Sequence, residues 1–255
     1  MEFLVQTING SIQHDFAFEL QQAKQYYDWC GNEMELSYID YGDLDKITEP
    51  DRYIPIGSVE FVSEYLRKFY GKEAPLIPLN VPEELFPFAG RKINNIYTYN
   101  DVMPGKYGQM FDIYNYNSVH GNNVKLFRKS LSVIKCGTNG IYDMSDPNNI
   151  VGYQVSEILD ILSEWRVFIF KGKIQHSCNY SGECMVFPDP VVIENMVKAY
   201  TAAPKAWTLD VAVTEEKKTV VIECHRFFSC GLYGFSDYAI IPKMFSQEWF
   251  EMKTM

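Results

Sequence analysis

Two acidic residues, each in the middle of an apolar strand pattern, constrain this chain more than any other feature. Asp210 lies in AWTLDVAV and Glu223 in TVVIECHRF, and the charged segment 215–218 separates the two. The alternating apolar pattern predicts the two strands of a hairpin. A turn centred on 215–218 places Asp210 directly opposite Glu223, with the Cβ atoms roughly 4.5–5.5 Å apart on one face.

The opposed carboxylates predict a metal site. Side by side in a sheet they would repel each other, and a divalent cation between them removes that cost. Mg²⁺ prefers oxygen ligands of this kind. Strict alternation puts Val221, Glu223 and His225 on one face of their strand. We therefore expect Asp210, Glu223 and His225 to bind Mg²⁺. The alternative is a register slip that leaves one carboxylate on a solvated face.

Basic residues on nearby strand patterns predict a site for an anion. Arg166 lies in the middle of SEWRVFIF, where its planar guanidinium is expected to face a carboxylate or a phosphate. A structural ion pair with Glu164 or Glu157 is the alternative. Lys129 and Lys135 precede a glycine-bearing loop, and lysines so placed can contact nucleotide phosphates. Most lysines only keep a surface soluble, and the spacing of a Walker loop is absent.

The first 70 residues predict an α/β unit. Strand patterns at 1–8, 34–41 and 52–58 alternate with two amphipathic helices, and Ser58 is a natural N-cap for the second. A proline-rich run follows over residues 73–90, and we expect it to be an extended connector.

Strand patterns dominate from residue 124 onwards. A hairpin is predicted around Lys171-Gly172, followed by a helix over 190–203, the acidic hairpin and a closing amphipathic segment. The predicted fold class is therefore α+β, with an antiparallel C-terminal sheet backed by helices. We expect two domains, residues 1–100 with the connector and residues 101–255.

The overall charge excludes one class of function. The chain has 33 acidic and 23 basic residues, a net charge of −10, so it lacks the field needed to coat nucleic acid. No apolar run is long enough to span a membrane, and the N-terminus lacks the features of a signal peptide. The six cysteines form no C-x-x-C pair. We expect a cytoplasmic protein with reduced thiols and no membrane partner.

Taken together, these segments resemble the ATP-grasp superfamily, in particular its compact phage and bacterial clade named for an arginine and two lysines. The match is one of order and spacing over roughly residues 120–245. It consists of a basic strand pair, a hinge at QVSE, the EWRVF strand, the TLDVAV strand and VVIECH followed by a GLYG loop. RYIPIGSVEFV is also similar to the segment that these proteins carry before the grasp domain.

The resemblance implies an ATP-grasp fold with an N-terminal pre-ATP-grasp unit. It implies a ligase that uses ATP and Mg²⁺ to join a carboxylate, from a small molecule or a peptide, to an amine through an acyl phosphate. It also implies a role for each matching position. Lys129 and Lys135 would hold the α- and β-phosphates, and Arg166 would contact the γ-phosphate and the acyl phosphate. The adenine would pair with the backbone of Gln154, Val155, Ser156 and Glu157, and the Glu157 side chain would bind the ribose. Asp210 and Glu223 would bind the Mg²⁺.

One position departs from the family pattern. ATP-grasp enzymes usually carry asparagine two residues after the metal-binding glutamate, and this chain has His225. Histidine is a poorer Mg²⁺ ligand than an amide oxygen. His225 therefore either contacts phosphate or alters metal binding. The departure leaves open a non-catalytic nucleotide-binding protein, and a kinase-like phosphotransferase is a further alternative because fold does not fix function.

A zinc site is a third alternative. Six side chains on two predicted hairpins offer nitrogen and sulfur ligands: His176, Cys178, Cys184, Cys224, His225 and Cys230. Alternation points Cys224 and His225 to opposite faces, so only a subset of the six can converge.

Overall fold

A computed structural model describes residues 2–72, 74, 80–96, 125–131, 140–143 and 152–255. Within these residues, no helix is both long enough and apolar enough to cross a membrane. The five cysteines in this part of the chain are free thiols. Lys135 lies outside the described residues, as do residues 97–124.

The N-terminal part is a three-stranded parallel sheet with helices packed on it. Its strands are β1 (Glu2–Thr7), β2 (Glu35–Asp40) and β3 (Tyr53–Ile56), in the order β2-β1-β3. The helices are α1 (Asp15–Trp29) and α2 (Val59–Tyr70). The predicted α/β unit is confirmed.

Alternation along β1 gives this sheet two apolar faces. Phe3 and Val5 belong to the core that contains α1, whereas Leu4 belongs to the core that contains α2. Helix α2 begins where predicted, since the Ser58 hydroxyl accepts a hydrogen bond from the Phe61 N–H at 3.2 Å.

A small antiparallel sheet follows, in the order β4-β7-β5-β6. We call it the first antiparallel sheet. Its strands are β4 (Ile93–Ile96), β5 (Lys125–Ser130), β6 (Gly140–Asp143) and β7 (Tyr153–Ser156). Ahead of β4, Glu83–Phe88 forms a 3-10 helix, so this part of the proline-rich run is not extended as expected. The domain boundary near residue 100 stays a prediction.

The second antiparallel sheet has the order β11-β10-β8-β9. Its strands are β8 (Ile161–Phe170), β9 (Lys173–Gly182), β10 (Ala206–Thr214) and β11 (Thr219–Arg226). Lys171 and Gly172 both have positive φ, 51° and 73°, which matches the twist of a tight hairpin. Helices α3 (Pro190–Ala199) and α4 (Ile241–Thr254) complete the fold. The α+β prediction is confirmed.

The two faces of the second antiparallel sheet have different surroundings. One face packs on α3 through a large apolar cluster, whose buried side chains include Trp165, Val167, Leu209 and Val211. On the other face, Phe168 and Ala206 join the core shared with β1 and α1. The rest of that second face carries the polar residues of the strands, and it faces the first antiparallel sheet through Lys129 and Glu223.

Strand β11 contains a bulge that the alternation argument did not include. Asp210 pairs with Glu223, but the next pair is Val211 with Val221, so Ile222 is an extra residue. Val221 therefore lies with Val211 in the apolar core, and the prediction that it shares a face with Glu223 was wrong. Because of the extra residue, Glu223 and His225 lie on the polar face of the sheet, whereas Val221, on the other side of the bulge, lies on the apolar face.

Helix α4 is tied to the end of β11 by a buried ion pair. The Arg226 Nε–H donates to Glu248, and Arg226 Nη2 lies 3.5 Å from Glu251. Burial raises the pKa of Glu248 to about 7 although Arg226 opposes the shift. Because the same helix packs Trp249 against Tyr65 of α2, residues near the C-terminus belong to the core of the N-terminal part.

Candidate active site

Asp210 and Glu223 lie directly opposite each other on β10 and β11, as predicted. Both are largely removed from solvent, and Asp210 is only 2% exposed. The bulge begins just after Asp210, so it changes the register toward the turn and leaves this pair in place. The register slip that would have solvated one carboxylate does not occur.

Each of the two carboxylates is paired with a cation. Arg166, which is opposite Asp210 on β8, donates from Nε and Nη2 to Asp210 Oδ1 and Oδ2 at 2.8 and 2.7 Å. Lys129 of β5 donates from Nζ to Glu223 Oε2. Arg166 therefore pairs with Asp210 rather than with Glu164 or Glu157. We call Lys129, Arg166, Asp210 and Glu223 the charge quartet.

Burial and pairing set the acidity of these groups. Burial raises the pKa of Asp210 to about 6, although the bonds from Arg166 oppose the shift. Burial acts in the same direction on Glu223, but the charge and hydrogen bond of Lys129 outweigh it and hold the pKa of Glu223 below its usual value. Burial alone would lower the pKa of Arg166, and Asp210 reverses the sign. Both acids are therefore ionised near neutral pH.

A cleft of about 250 Å³ opens beside the charge quartet, between the two antiparallel sheets. Lys129 and Ser156 line it from the first sheet, and Glu164 and Ile222 line it from the second. Glu157 lies at its rim and accepts a hydrogen bond from the Lys92 N–H at 3.0 Å. The cleft is therefore lined by three of the predicted nucleotide residues, Lys129, Ser156 and Glu157, and Lys129 is also one of the two cations of the quartet.

Among the predicted nucleotide residues that the structure describes, three do not line this cleft: Gln154, Val155 and Arg166. The Gln154 side chain is buried against the backbone of Val81, at 2.9 Å, and donates to Asn95 at 2.8 Å. Val155 is buried in the middle of β7, which has β4 on one side and β5 on the other. Since both neighbours use the backbone of β7, the groups able to pair with a base lie past its end, at Ile158 and Leu159 in the cleft wall.

Sequence reasoning missed two charged residues of the cleft. Arg91 donates to the carbonyl oxygens of Ala89 and Val221 at 3.0 and 2.8 Å, and burial lowers its pKa to about 10. Neither partner is a carboxylate. Glu164 is the other; its pKa is raised by burial and by the charge of Glu223. Arg91 follows the irregular proline-rich run, where no strand pattern identified it. Glu164 was considered only as a partner for Arg166.

His225 lies on the same face as Glu223, opposite Thr208, and is buried. Its Nδ1 contacts the carbonyl oxygen of Arg226. Among the described residues, no group of three or more His, Cys, Asp or Glu side chains has the arrangement of a metal site. Of the three predicted Mg²⁺ ligands, Asp210 and Glu223 lie side by side and offer the oxygen donors that Mg²⁺ prefers. One ring nitrogen of His225 contacts the backbone instead.

The possible zinc ligands are spread over separate cores. Cys178 and Cys230 lie in the core beside α1, whereas Cys224 lies on the opposite face of the sheet in the core beside α3. Cys184 is exposed. The six side chains that suggested zinc therefore do not converge.

The buried pair predicts a pH-dependent loss of stability in Arg166→Met. Without the guanidinium, Asp210 is a buried unpaired charge, which costs about 3–5 kcal/mol at about pH 8. Burial raises the pKa of Asp210 and Arg166 opposes the shift, so removing Arg166 raises that pKa further; stability of the variant is then greatest at low pH and falls as Asp210 ionises. Urea unfolding should show a smaller deficit at about pH 5.

The double variant Arg166→Met/Asp210→Asn is the matched control, because it removes both charges. It should regain much of the stability at about pH 8. An equal deficit at both pH values would show that Arg166 stabilises by packing and not by pairing with Asp210.

Residues 107–241, just over half of the chain, match the family model of an ATP-grasp domain, family 2 of the clade named for an arginine and two lysines. No curated protein has a sequence similar enough to match.

Solved structures share the fold over nearly the whole chain. D-cycloserine synthetase DcsG has a TM-score of 0.58 at 11% identity, covering 99% of this chain and 100% of the other. D-alanine–D-alanine ligase from Bacillus anthracis, complexed with ATP, has a TM-score of 0.53 at 13% identity. The match covers 100% of this chain and 98% of the ligase. The ATP-grasp ligase PsnB, complexed with minimal precursor, has a TM-score of 0.53 at 9% identity. The match covers 96% of this chain and 99% of PsnB. At these identities the similarity shows the fold alone.

Proposed function

The chain belongs to family 2 of the ATP-grasp clade named for an arginine and two lysines, and from that premise we propose that it is an ATP- and Mg²⁺-dependent ligase joining a carboxylate to an amine. The charge quartet carries the proposal. It places two carboxylates suited to a metal and two cations suited to phosphate in one buried cluster beside a cleft. Phosphoryl transfer is catalysed mainly by positioning and charge neutralisation, which such a cluster supplies.

The nucleotide base fits between the two antiparallel sheets. Phe127 and Ile141 line the cleft on one side and Ile222 on the other, so a flat base would contact apolar side chains on both faces. The backbone of Ile158 and Leu159 lies beyond the paired part of β7 and can recognise the edge of the base. This moves the base from the predicted segment, Gln154 to Glu157, to the residues that follow it.

The ribose and the phosphates lie toward the quartet. Glu157 and Glu164 both line the cleft and can accept hydrogen bonds from ribose hydroxyls. Lys129 and Arg91 supply positive charge for the phosphates. Among the described residues, the hydrogen-bond partners of Arg91 are two carbonyl oxygens, which a phosphate can replace. Lys135 is assigned to the phosphates by the family resemblance. The γ-phosphate would lie at Arg166.

Asp210 and Glu223 are the proposed Mg²⁺ ligands. Bound there, Mg²⁺ would neutralise charge on the transferred phosphate. Binding requires each carboxylate to leave its cation, which frees Lys129 and Arg166 to contact phosphate oxygens. His225 is on the same face, and its imidazole suits phosphate better than Mg²⁺. The two carboxylates of the quartet would thus exchange their cations for the metal, and the two cations would exchange their carboxylates for phosphate oxygens.

The chemistry has two steps. An oxygen of the substrate carboxylate bonds to the γ-phosphorus as the bond to the β–γ bridging oxygen breaks, giving an acyl phosphate and ADP. The amine nitrogen then attacks the acyl carbon, phosphate leaves and the amine proton is released. Arg166 and Lys129 stabilise the charge that develops on the phosphoryl oxygens. Their burial limits the access of water to the acyl phosphate.

The substrates remain defined by class only. The proposed donor is a small-molecule or peptide carboxylate, and the acceptor is an amine. Because one fold supports many substrates, the similar solved structures do not choose among them. We place the acceptor between the predicted N-terminal domain, residues 1–100, and the nucleotide-binding domain, residues 101–255.

ADP release tests the proposed reaction. Purified protein with ATP and Mg²⁺ is given candidate carboxylates, including amino acids and short peptides, with and without amines. A ligase releases sustained ADP and phosphate only when both substrates are present. ADP release with a carboxylate alone, and a stable phosphorylated product, would instead show a phosphotransferase. Tight nucleotide binding without turnover across the panel would favour a non-catalytic protein.

Calorimetry with ADP and Mg²⁺ tests the proposed nucleotide seat. Lys129→Met and Arg91→Met should each weaken ADP binding at least tenfold, about 1.4 kcal/mol, because each removes a charge that faces phosphate. Lys46→Met is the control, since Lys46 is exposed and remote from the cleft. Unchanged ADP affinity in Lys129→Met, with the protein folded, would contradict the assignment.

A further inference from the structure

The loop after β11 forms the outer wall of the Arg166 site. We call residues 231–234 the Arg166 loop. The Gly231 carbonyl accepts a hydrogen bond from Arg166 Nη1 at 3.1 Å. The Arg166 Cζ atom lies 5.0 Å from the ring centroid of Tyr233 and 5.9 Å from that of Tyr180, and the two rings stack 5.2 Å apart. The guanidinium is therefore held by Asp210 on one side and by a carbonyl and two aromatic faces on the other.

The conformation of the Arg166 loop is strained. Tyr233 has φ of +47°, a left-handed conformation that is unfavourable for a residue other than glycine. Its ring also folds back over Gly231, where a Cβ atom would come within 3.0 Å of the ring. Such a conformation persists only when the surroundings impose it.

Asp15, the first residue of α1, imposes it. Its Oδ2 accepts hydrogen bonds from the N–H groups of Leu232 and Tyr233 at 2.6 and 3.4 Å, and its Oδ1 accepts from the Phe16 N–H at 2.8 Å. Leu232 is fully buried in the core that contains α1. A residue of the N-terminal part thus fixes the backbone of a loop that contacts Arg166.

We propose that Asp15 is a positioning residue for phosphoryl transfer, acting on Arg166 through this loop. The inference rests on the proposed function. If Asp210 bound the metal, Arg166 would lose its two hydrogen bonds to that carboxylate. Gly231 and the two tyrosine rings then hold the guanidinium where the γ-phosphate arrives, and Asp15 holds Gly231 and Tyr233. The N-terminal part therefore governs the rate of transfer without contacting the nucleotide.

The test separates rate from nucleotide binding. Asp15→Ala should lower kcat for ADP release at least tenfold, about 1.4 kcal/mol, and leave KM for ATP and the affinity for ADP within about twofold. Amide hydrogen exchange at Leu232 and Tyr233 should accelerate, because their acceptor is gone. Asp15→Asn keeps one acceptor oxygen and should recover part of kcat. Asp28→Ala, on the exposed side of the same helix, should change none of these values.

A second variant acts on the loop from its other end. Gly231→Ala forces the Tyr233 ring aside and should reproduce the split between kcat and KM even if Asp15→Ala folds poorly. Unchanged kcat in both variants, or an equal loss of kcat and ADP affinity, would overturn the inference.

The readouts also distinguish this inference from the proposed function. Without turnover in the wild-type protein the ligase proposal fails, and the exchange measurement is then made with ADP and Mg²⁺. Protection of Leu232 and Tyr233 that depends on Asp15 would then show that Asp15 anchors the Arg166 loop without a role in transfer, and protection that is the same in Asp15→Ala would overturn the anchoring as well.

Discussion

The buried ion pair between Arg166 and Asp210 is the interaction on which the site depends. Two charges on neighbouring strands are stable inside a protein only when their geometry satisfies them, and here two parallel hydrogen bonds do so. The pair fixes the register of β8 against β10 at their centre. It also holds the guanidinium against the loop that follows β11. The same strands carry apolar side chains on the opposite face, so the α3 core fixes the sheet on which the charges lie.

Pairing of acids with cations explains how such a cluster tolerates burial, and it is compatible with the proposed role in catalysis. Lys129 and Arg166 neutralise Glu223 and Asp210 in the structure, and the same four groups can instead neutralise a metal and a phosphate chain. Metal binding and phosphate binding are then linked, because each releases the partner that the other requires. In the proposed mechanism Arg166 needs a second support during this exchange. The loop anchored by Asp15 would provide it and would connect the N-terminal part of the chain to the chemistry.

Local sequence patterns predicted the features that depend on neighbouring residues. Asp210 lies opposite Glu223 because of one hairpin turn and the alternation of two adjacent strands, all between Trp207 and Arg226. The bulge at Ile222 has no signal in that pattern, so Val221 was placed on the wrong face. The partner of Arg166 depends on β8 lying beside β10, which is a long-range pairing. Arg91 lies in irregular chain, where no periodicity marks a buried side. The side chain of Gln154 is engaged by Val81 and Asn95, which are distant in sequence, so its contacts could not be predicted from the local pattern.

The most direct test of partner exchange is the affinity for Mg²⁺ alone, measured by calorimetry without nucleotide. In the wild-type protein Lys129 competes with the metal for Glu223, so binding should be weak. Lys129→Met removes the competitor and should tighten Mg²⁺ binding at least tenfold, about 1.4 kcal/mol, in the same variant that binds nucleotide less well. Mg²⁺ affinity that is unchanged or weaker in Lys129→Met would contradict the account, because Glu223 would then not be a metal ligand held in reserve by Lys129.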